Sequence, residues 1–285
     1  MNHTLKNMGF MFLSLLLIFS VSSAYAGKRV KLAYVEWSCA TASTNVVKAV
    51  LQEKLGYRVK EMAVSAAAMW QATASGNVDG FVTAWLPNTH KMYLDAVKDK
   101  VEVVGTLFTG AKIGLVVPSY VTINSIAELK DNADKFDGKI IGIDPGAGLM
   151  SATEKAVKEY GLDKMRLMEG SGAIMTASLA NAYKSNQWVV VTGWSPHWKF
   201  ARWKLKYLDD PKKIFGEAEE IQTVVRKDLK KDLPDVYAFL KNFKWPENGL
   251  QKVMGWNTLD DADPYENAKR YLKENPDVVK KWLGK

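Results

Sequence analysis

The chain has 285 residues, of which 39 are basic and 31 acidic, giving a formal net charge of +8. Its 47% hydrophobic and 25% charged residues are typical of a globular protein and exclude a disordered or collagen-like chain. A single cysteine excludes disulfide bonds within the chain. Because the chain also has only three histidines, no metal site is expected. The basic residues are scattered, so no nucleic-acid partner is expected. Ten tryptophans are the unusual feature of the composition.

The first 26 residues have the pattern of an export signal. Lys6 precedes an apolar run over residues 11–19, and small residues follow up to the Ala-Tyr-Ala of residues 24–26. A basic start, a short apolar run and an A-x-A site predict a cleavable signal peptide over 1–26. The run is shorter than the ~20 residues of a membrane span. No cysteine lies at the cleavage site, so the mature protein is expected to be periplasmic, without a lipid anchor.

After residue 27, strand-like apolar runs alternate with segments of helical period, and the series restarts near Lys139. The first series predicts strands 30–35, 58–64, 79–85, 101–107 and 113–117, and helices 43–55, 66–75 and 126–136. Ser43, Thr44 and Asn45 are the N-cap candidates of the first helix. The second series predicts strands 139–143, 165–169 and 188–194 and helices 148–161 and 174–186, before helices 235–243 and 264–281. This alternation indicates an α/β fold with mostly parallel sheets.

Tryptophans recur at the ends of the predicted strands. Each series closes with a strand ending in Thr-small-Trp-x-Pro, which contains Trp85 in the first and Trp194 in the second. Trp37 follows the first strand in the same way. Ligands of doubly wound sheets bind beyond the carboxyl ends of the strands. The three tryptophans are therefore predicted to face one cleft rather than to fill separate parts of the core.

An aromatic cleft of this kind suits a quaternary ammonium ion. Such an ion has no N–H to donate, and an indole face offers it both a negative quadrupole and apolar contact. A zwitterion would also need an anion site. The glycine-rich turn at 144–150 opens a helix near Gly148, where backbone N–H groups can bind an anion, although tight-turn geometry also explains it. His90 is a second candidate donor, or else a capping or surface residue.

Two other classes of protein share parts of this pattern. Cys39 and His90 are a possible nucleophile–base pair, but no further catalytic motif accompanies them, so the chain is not expected to be an enzyme. Tryptophans also stack on sugars in secreted carbohydrate-binding modules, which need more polar side chains than these motifs supply. His197 and the other tryptophans are expected to be structural, with Trp70 the foremost candidate for an exception.

The chain resembles the glycine-betaine-binding proteins of osmoprotectant ABC importers over most of its length. The segments that carry the resemblance are 32–37 (LAYVEW), 42–46 (ASTNV), 83–90 (TAWLPNTH), 142–150 (GIDPGAGLM), 192–198 (TGWSPHW) and 207–212 (YLDDPK). The resemblance implies a two-lobed periplasmic-binding-protein clamshell of type II-like fold, with hinge crossovers at 113–120 and about 219–226. Lobe 1 is then 27–112 with 219–285, and lobe 2 is 113–218.

The resemblance also implies the ligand contacts. In that family three tryptophans surround the trimethylammonium group, while two backbone N–H groups and one histidine bind the carboxylate. By motif, the ligand-binding residues of this chain are Trp37, Trp85, Trp194, His90, Gly148 and Leu149.

The implied partners are a small-molecule ligand and the membrane permease of an ABC importer, with the chain acting as a monomer and without a cofactor. Residues 38–41 (SCAT) replace an Asp-Ser-Glu type sequence that relatives often carry beside the first tryptophan. Choline-selective relatives use an acidic residue there, so its absence argues against choline. Glycine betaine is therefore the expected ligand, with choline, proline betaine, carnitine and dimethylsulfoniopropionate as alternatives.

Overall fold

The computed structural model describes residues 28–285, so the predicted signal peptide lies outside the described residues. Within them the strands are β1 Arg29–Tyr34, β2 Arg58–Ala63, β3 Gly80–Leu86, β4 Val101–Pro118, β5 Lys139–Ile141, β6 Arg166–Met168, β7 Val191–Ser195, β8 Leu205–Tyr207 and β9 Glu219–Arg226. The α-helices are α1 Ser38–Glu53, α2 Ala66–Ala74, α3 Lys91–Val97, α4 Gly148–Glu159, α5 Gly172–Lys184, α6 Lys199–Arg202, α7 Leu229–Asp232, α8 Pro234–Asn242, α9 Gly249–Trp256, α10 Pro264–Glu274 and α11 Pro276–Trp282. Over 28–285, no helix has both the length and the apolar character needed to cross a bilayer.

The strands form one mixed sheet in the order β2-β1-β3-β9-β4-β7-β5-β6, with β8 paired to β4. In what we call the first half, β1 is parallel to β2 and β3. In the second half, β5 is parallel to β6 and β7. Every antiparallel pair contains β4 or β9, the two strands that join the halves. The predicted α/β fold is therefore confirmed, and β1–β3 and β5–β7 are parallel as predicted. The stretch 101–117, predicted as two further strands of the first series, is instead the antiparallel β4, which together with β9 makes the whole sheet mixed rather than mostly parallel.

Strand β4 connects the two halves directly. The sequence predicted two strands here, but one strand runs from Val101 to Pro118. Its first part pairs with β9 as far as Ala111, and its next residues pair with β7 from Lys112 onward. Three register shifts interrupt its pairing with β9. Bulges of this kind bend a strand without ending it, so the polar and glycine-containing stretch before Ala111 is a bend rather than a loop.

Helix α1 begins five residues earlier than predicted, directly after Trp37. The predicted caps, Ser43 to Asn45, are instead buried within the helix. The Asn45 amide donates to the Thr41 carbonyl at 3.0 Å, and the Ser43 hydroxyl accepts from the Trp245 indole at 3.0 Å. Asn45 and Ser43 are accommodated inside the helix because their side chains are hydrogen-bonded, Ser43 to a residue 202 positions away.

The carboxy-terminal helices complete the first half. The predicted helix 264–281 is divided at Asn275, whose backbone is not helical because residue 276 is a proline. The Asn275 amide caps the carbonyl of Tyr271 at 2.8 Å. Tyr271 packs with Trp245 and Trp282 in an aromatic cluster, with ring centroids 5.2 to 6.2 Å apart. The segment Ile126–Phe136, predicted as an ordinary helix, is a 3₁₀ helix.

Candidate ligand-binding site

A cavity lies between the two halves of the sheet, with about 300 Å³ of space not filled by protein atoms, part of it open to solvent. The structure brings all six predicted site residues to its wall: Trp37, Trp85 and His90 from the first half, and Gly148, Leu149 and Trp194 from the second. Four other residues that line the cavity were not predicted from the sequence: Thr89, Ile113, Ile143 and Ala147.

Two of the three indoles reach the cavity from equivalent places in the two halves. Trp85 is the penultimate residue of β3, and Trp194 is the penultimate residue of β7. Each tryptophan is followed two residues later by a proline, Pro87 or Pro196, and the peptide bond that precedes this proline is cis. Trp37 stands at the N-terminus of α1. All three are at most 6% exposed, so a ligand in this cavity would meet indole surface largely shielded from water.

Trp37 is fixed by a contact from the opposite half. Its indole Nε1–H donates to Asp144 Oδ1 at 2.8 Å. The other oxygen of Asp144 is buried and has no hydrogen-bond partner among the described residues. The glycine-rich pattern of this turn predicted a role for its backbone but none for its aspartate. Asp144 therefore places a carboxylate behind one wall of the cavity, where its charge favours a cationic ligand.

His90 is held as a neutral donor. Its Nδ1 accepts a hydrogen bond from the backbone N–H of Trp85 at 3.1 Å. An imidazole whose Nδ1 accepts carries its proton on Nε2 when neutral. Burial lowers the pKa of His90 to about 3, so the neutral form prevails at physiological pH. Nε2 has no hydrogen-bond partner in the described part of the chain, which makes it an available donor beside the cavity.

The loop between Trp85 and His90 is anchored by Glu219, the first residue of β9. The buried Glu219 carboxylate accepts from the backbone N–H groups of Asn88 and Thr89, both at 2.8 Å, and from the Thr89 hydroxyl. Hydrogen bonds to an ionised acceptor are stronger than neutral ones. Glu219 therefore orients the loop that carries His90, and it lay outside every motif singled out in the sequence.

The second half contributes the N-terminus of α4. Gly148 and Leu149 are its first two residues, whose N–H groups have no acceptor within the helix. The preceding residue, Ala147, provides no side-chain cap. Free N–H groups and the positive end of the helix dipole favour an anion. The cavity thus combines aromatic walls for a cation with donors for a carboxylate.

The two halves touch closely around the cavity. A Cβ added to Gly148 would lie 2.1 Å from the Thr89 carbonyl oxygen, so only glycine fits there. The Tyr93 hydroxyl donates to the Gly146 carbonyl at 2.5 Å. With the hydrogen bond from Trp37 to Asp144, these contacts join the turn at 144–148 to the first half.

Cys39 and Trp70, two further candidates from the sequence, do not line the cavity. Burial raises the pKa of the Cys39 thiol to about 11, and the thiol lies beside Trp194 rather than His90. Trp70 packs edge-on against Phe81, with centroids 4.9 Å apart, and does not line the cavity. Cys39 is likewise absent from the lining. A Cys39–His90 nucleophilic pair therefore has no geometric support.

Comparisons with known proteins agree with this architecture. Residues 28–274 match the family described as the substrate-binding domain of ABC-type glycine betaine transport systems. The chain is 47% identical over 155 residues to the glycine betaine/carnitine transport binding protein GbuC of Listeria monocytogenes. That match covers 54% of this chain, and the chain spans only about half (51%) of the length of that relative.

Solved structures are similar over nearly the whole chain. The glycine/betaine/L-proline-binding protein ProX of Borrelia burgdorferi is 41% identical, with a TM-score of 0.86 over 90% of this chain and 96% of that one. Lactococcal OpuAC, in a closed complex with glycine betaine, is 42% identical, with a TM-score of 0.84 over 90% and 99%. A choline-binding protein in complex with choline is 28% identical, with a TM-score of 0.83 over 90% and 91%.

The two-part α/β fold with a cavity between its halves, together with its similarity to solved binding proteins, assigns the chain to the periplasmic-binding-protein class. Within that class, the chain belongs to the OpuAC family of substrate-binding domains of glycine betaine ABC transport systems. Members of this family act outside the cytoplasm as the ligand-capturing components of importers.

Proposed function

We propose that this protein binds glycine betaine, or a closely related quaternary ammonium zwitterion, and delivers it to the permease of an ABC importer. The observation that supports this most strongly is that three indoles from both halves of the molecule line one cavity. The same wall contains Gly148 and Leu149 at a helix N-terminus and the neutral donor His90. These groups suit the two charged ends of a zwitterion.

The aromatic wall is sufficient for useful affinity. A cation on an indole face gains roughly 0.5–1 kcal/mol when exposed and about 2 kcal/mol when desolvated. Three largely buried indoles would therefore contribute several kcal/mol. Micromolar binding corresponds to about −8 kcal/mol, which the aromatic contacts and the carboxylate donors can supply together after the entropic loss on association.

Binding is coupled to closure because the contacts are divided between two lobes. We assign lobe 1 to 27–112 with 219–285 and lobe 2 to 113–218, so that β4 and β9 form the hinge crossovers. A ligand that touches both lobes favours the closed form over the open one. The permease then recognises the closed protein, which we propose to be an exported monomer, free of cofactor and lipid anchor, released from a signal peptide at 1–26.

Choline is the second candidate ligand. It shares the trimethylammonium group, and the choline-binding protein of known structure is similar in fold at 28% identity. Glycine betaine is favoured because the cavity offers donors, the Nε2–H of His90 and the N–H groups of Gly148 and Leu149, which complement a carboxylate better than a hydroxyl.

The experiment is a titration of intrinsic tryptophan fluorescence with glycine betaine, choline and a panel of sugars. Indoles in the cavity wall make the emission sensitive to ligand. We expect saturation by glycine betaine at micromolar concentration, weaker binding of choline and no response to sugars, with the ligand recovered unchanged. Saturation by a sugar, or no response to any quaternary ammonium compound, would overturn the proposal.

His90→Asn isolates the donor at Nε2. Asparagine keeps an acceptor near the Nδ1 position for the Trp85 N–H but lacks a donor at Nε2. We expect the Kd for glycine betaine to rise roughly tenfold to a hundredfold, the value of a hydrogen bond to a charged group. The Kd for choline, which has no carboxylate, should change much less. An equal loss for both ligands, measured by calorimetry, would contradict the proposed role.

A further inference from the structure

A buried lysine lies behind the aromatic wall. Lys199, the first residue of α6, is 0% exposed. Its Nζ has no hydrogen-bond partner among the described residues and lies 4.3 Å from the ring centroid of Trp194 and 5.4 Å from that of Phe200. Lysine is almost never fully buried unless it is paired, so this side chain requires an explanation.

Among residues 28–285, no carboxylate pairs with Lys199 or offsets its charge. The titratable groups that face it are the Cys39 thiol from α1 and the His197 imidazole from the turn after β7. Burial raises the pKa of Cys39 to about 11, and burial together with Lys199 lowers the pKa of His197, so both are neutral near pH 7. Desolvation accordingly lowers the pKa of Lys199 itself to about 7.

Lys199 shares Trp194 with the cavity. Trp194 lines the cavity, whereas Lys199 does not. The ammonium group therefore lies over a face of the indole that is outside the cavity, while a ligand would approach from inside it. Both cations would draw on the same aromatic quadrupole and would repel each other across one ring.

We propose that Lys199 sets the strength with which Trp194 holds a quaternary ammonium ligand, a charged Lys199 weakening that hold and a neutral Lys199 strengthening it. Lys199 is thus a positioning residue that acts through Trp194 and does not touch the ligand. The inference rests on the proposed function. Where Lys199 is protonated in the free protein, ligand binding releases its proton to the solvent.

The direction and size of the effect follow from the geometry. A ligand cation within about 6 Å of the ring centroid would be roughly 10 Å from Nζ, and at an effective dielectric of ~20 this repulsion corresponds to about a tenfold change in Kd. Because Lys199 becomes neutral as the pH rises through about 7, the affinity should be weaker below pH 7 and nearly constant above it. His90, with its pKa lowered to about 3 by burial, does not titrate in this range.

The test is calorimetric titration with glycine betaine from pH 5.5 to 8.5. We expect the wild-type Kd to be about tenfold higher at pH 5.5 than at pH 8.5. Lys199→Met, similar in length but uncharged, should bind with the high-pH affinity throughout. In two buffers of different ionisation enthalpy at pH 6.5, the wild type should release protons on binding and the variant should not.

A neutral isostere of the ligand provides the matched control. In 3,3-dimethylbutyrate a carbon replaces the quaternary nitrogen, so a charged Lys199 does not repel that end, and its affinity should not improve as the pH rises. A flat wild-type profile without proton release would overturn the inference and leave the proposed function intact. Failure to bind glycine betaine at any pH would instead overturn the proposed function. The proton-release measurement on the wild type decides the point even if Lys199→Met does not fold.

Discussion

Replacing Gly148 with alanine is expected to abolish tight binding of glycine betaine while leaving the protein folded. The new Cβ would lie 2.1 Å from the backbone oxygen of Thr89 and 2.7 Å from its Cγ2, across the contact between the two halves. A backbone oxygen cannot rotate away, so the closed arrangement must open. Overpacking of about 3 kcal/mol corresponds to a loss of affinity on the order of a hundredfold.

The folded state itself should tolerate this change. The overlap involves the opposite half and not the helix, and alanine is a better helix former than glycine. Thermal unfolding without ligand should therefore be nearly unchanged, whereas ligand-induced compaction in small-angle scattering should be lost. Gly255→Ala in α9 is the matched control, because a Cβ there meets nothing within 4 Å. Wild-type affinity in Gly148→Ala would show that the contact with Thr89 is not required for binding.

Removing one indole from the cavity wall should produce the second large effect. Trp85→Ala and Trp194→Ala are each expected to weaken glycine betaine binding by about 1–3 kcal/mol, because each removes one cation–π face and admits water. The Kd should rise roughly fivefold to 150-fold in fluorescence or calorimetric titrations. Since Trp85 and Trp194 come from different halves, similar losses in both variants would indicate that the ligand contacts both halves.

A tryptophan outside the cavity provides the comparison. Trp188 is half-buried, packs against Phe136 with centroids 5.3 Å apart, and does not line the cavity. Trp188→Ala should therefore leave the Kd unchanged. If Trp85→Ala and Trp194→Ala also bind with wild-type affinity, the two indoles are not part of the binding site.

The repeated strand–helix pattern predicted which residues lie at equivalent strand ends in the two halves. The restart near Lys139 predicted two similar halves, and Trp85 and Trp194 occupy equivalent strand ends in the structure. This prediction succeeded because the alternation of strands and helices is a local property, and parallel strands end at a common edge of the sheet. The six predicted site residues line one cavity, and they remain a prediction as ligand contacts. Strand ends suggested the tryptophans, neighbouring motifs suggested His90 and Gly148, and the family resemblance supplied Leu149 and the individual roles.

The local sequence pattern did not predict the correct bounds of α1 and β4. The sequence predicted two strands where β4 is continuous, and a start near residue 43 where α1 begins at Ser38. Contacts with distant residues stabilise both of these longer elements. Ser43 is accommodated inside α1 by Trp245, a residue 202 positions away. The glycine-containing bend of β4 is held by its pairing with β9. In both cases tertiary contacts override the local preference for a cap or a turn.

The sequence by itself determined the fold class, the three indoles and the candidate donors. Only the tertiary structure decided how they are held and charged: Asp144 orients Trp37 over a separation of 107 residues, and Glu219 anchors the His90 loop over 130. It also showed that Lys199 is buried, with no hydrogen-bond partner for its ammonium group in the described part of the chain. The physical reason is that hydrogen-bond partners and desolvation depend on which distant groups lie close together in the folded chain. The local periodicity of the sequence does not contain that information.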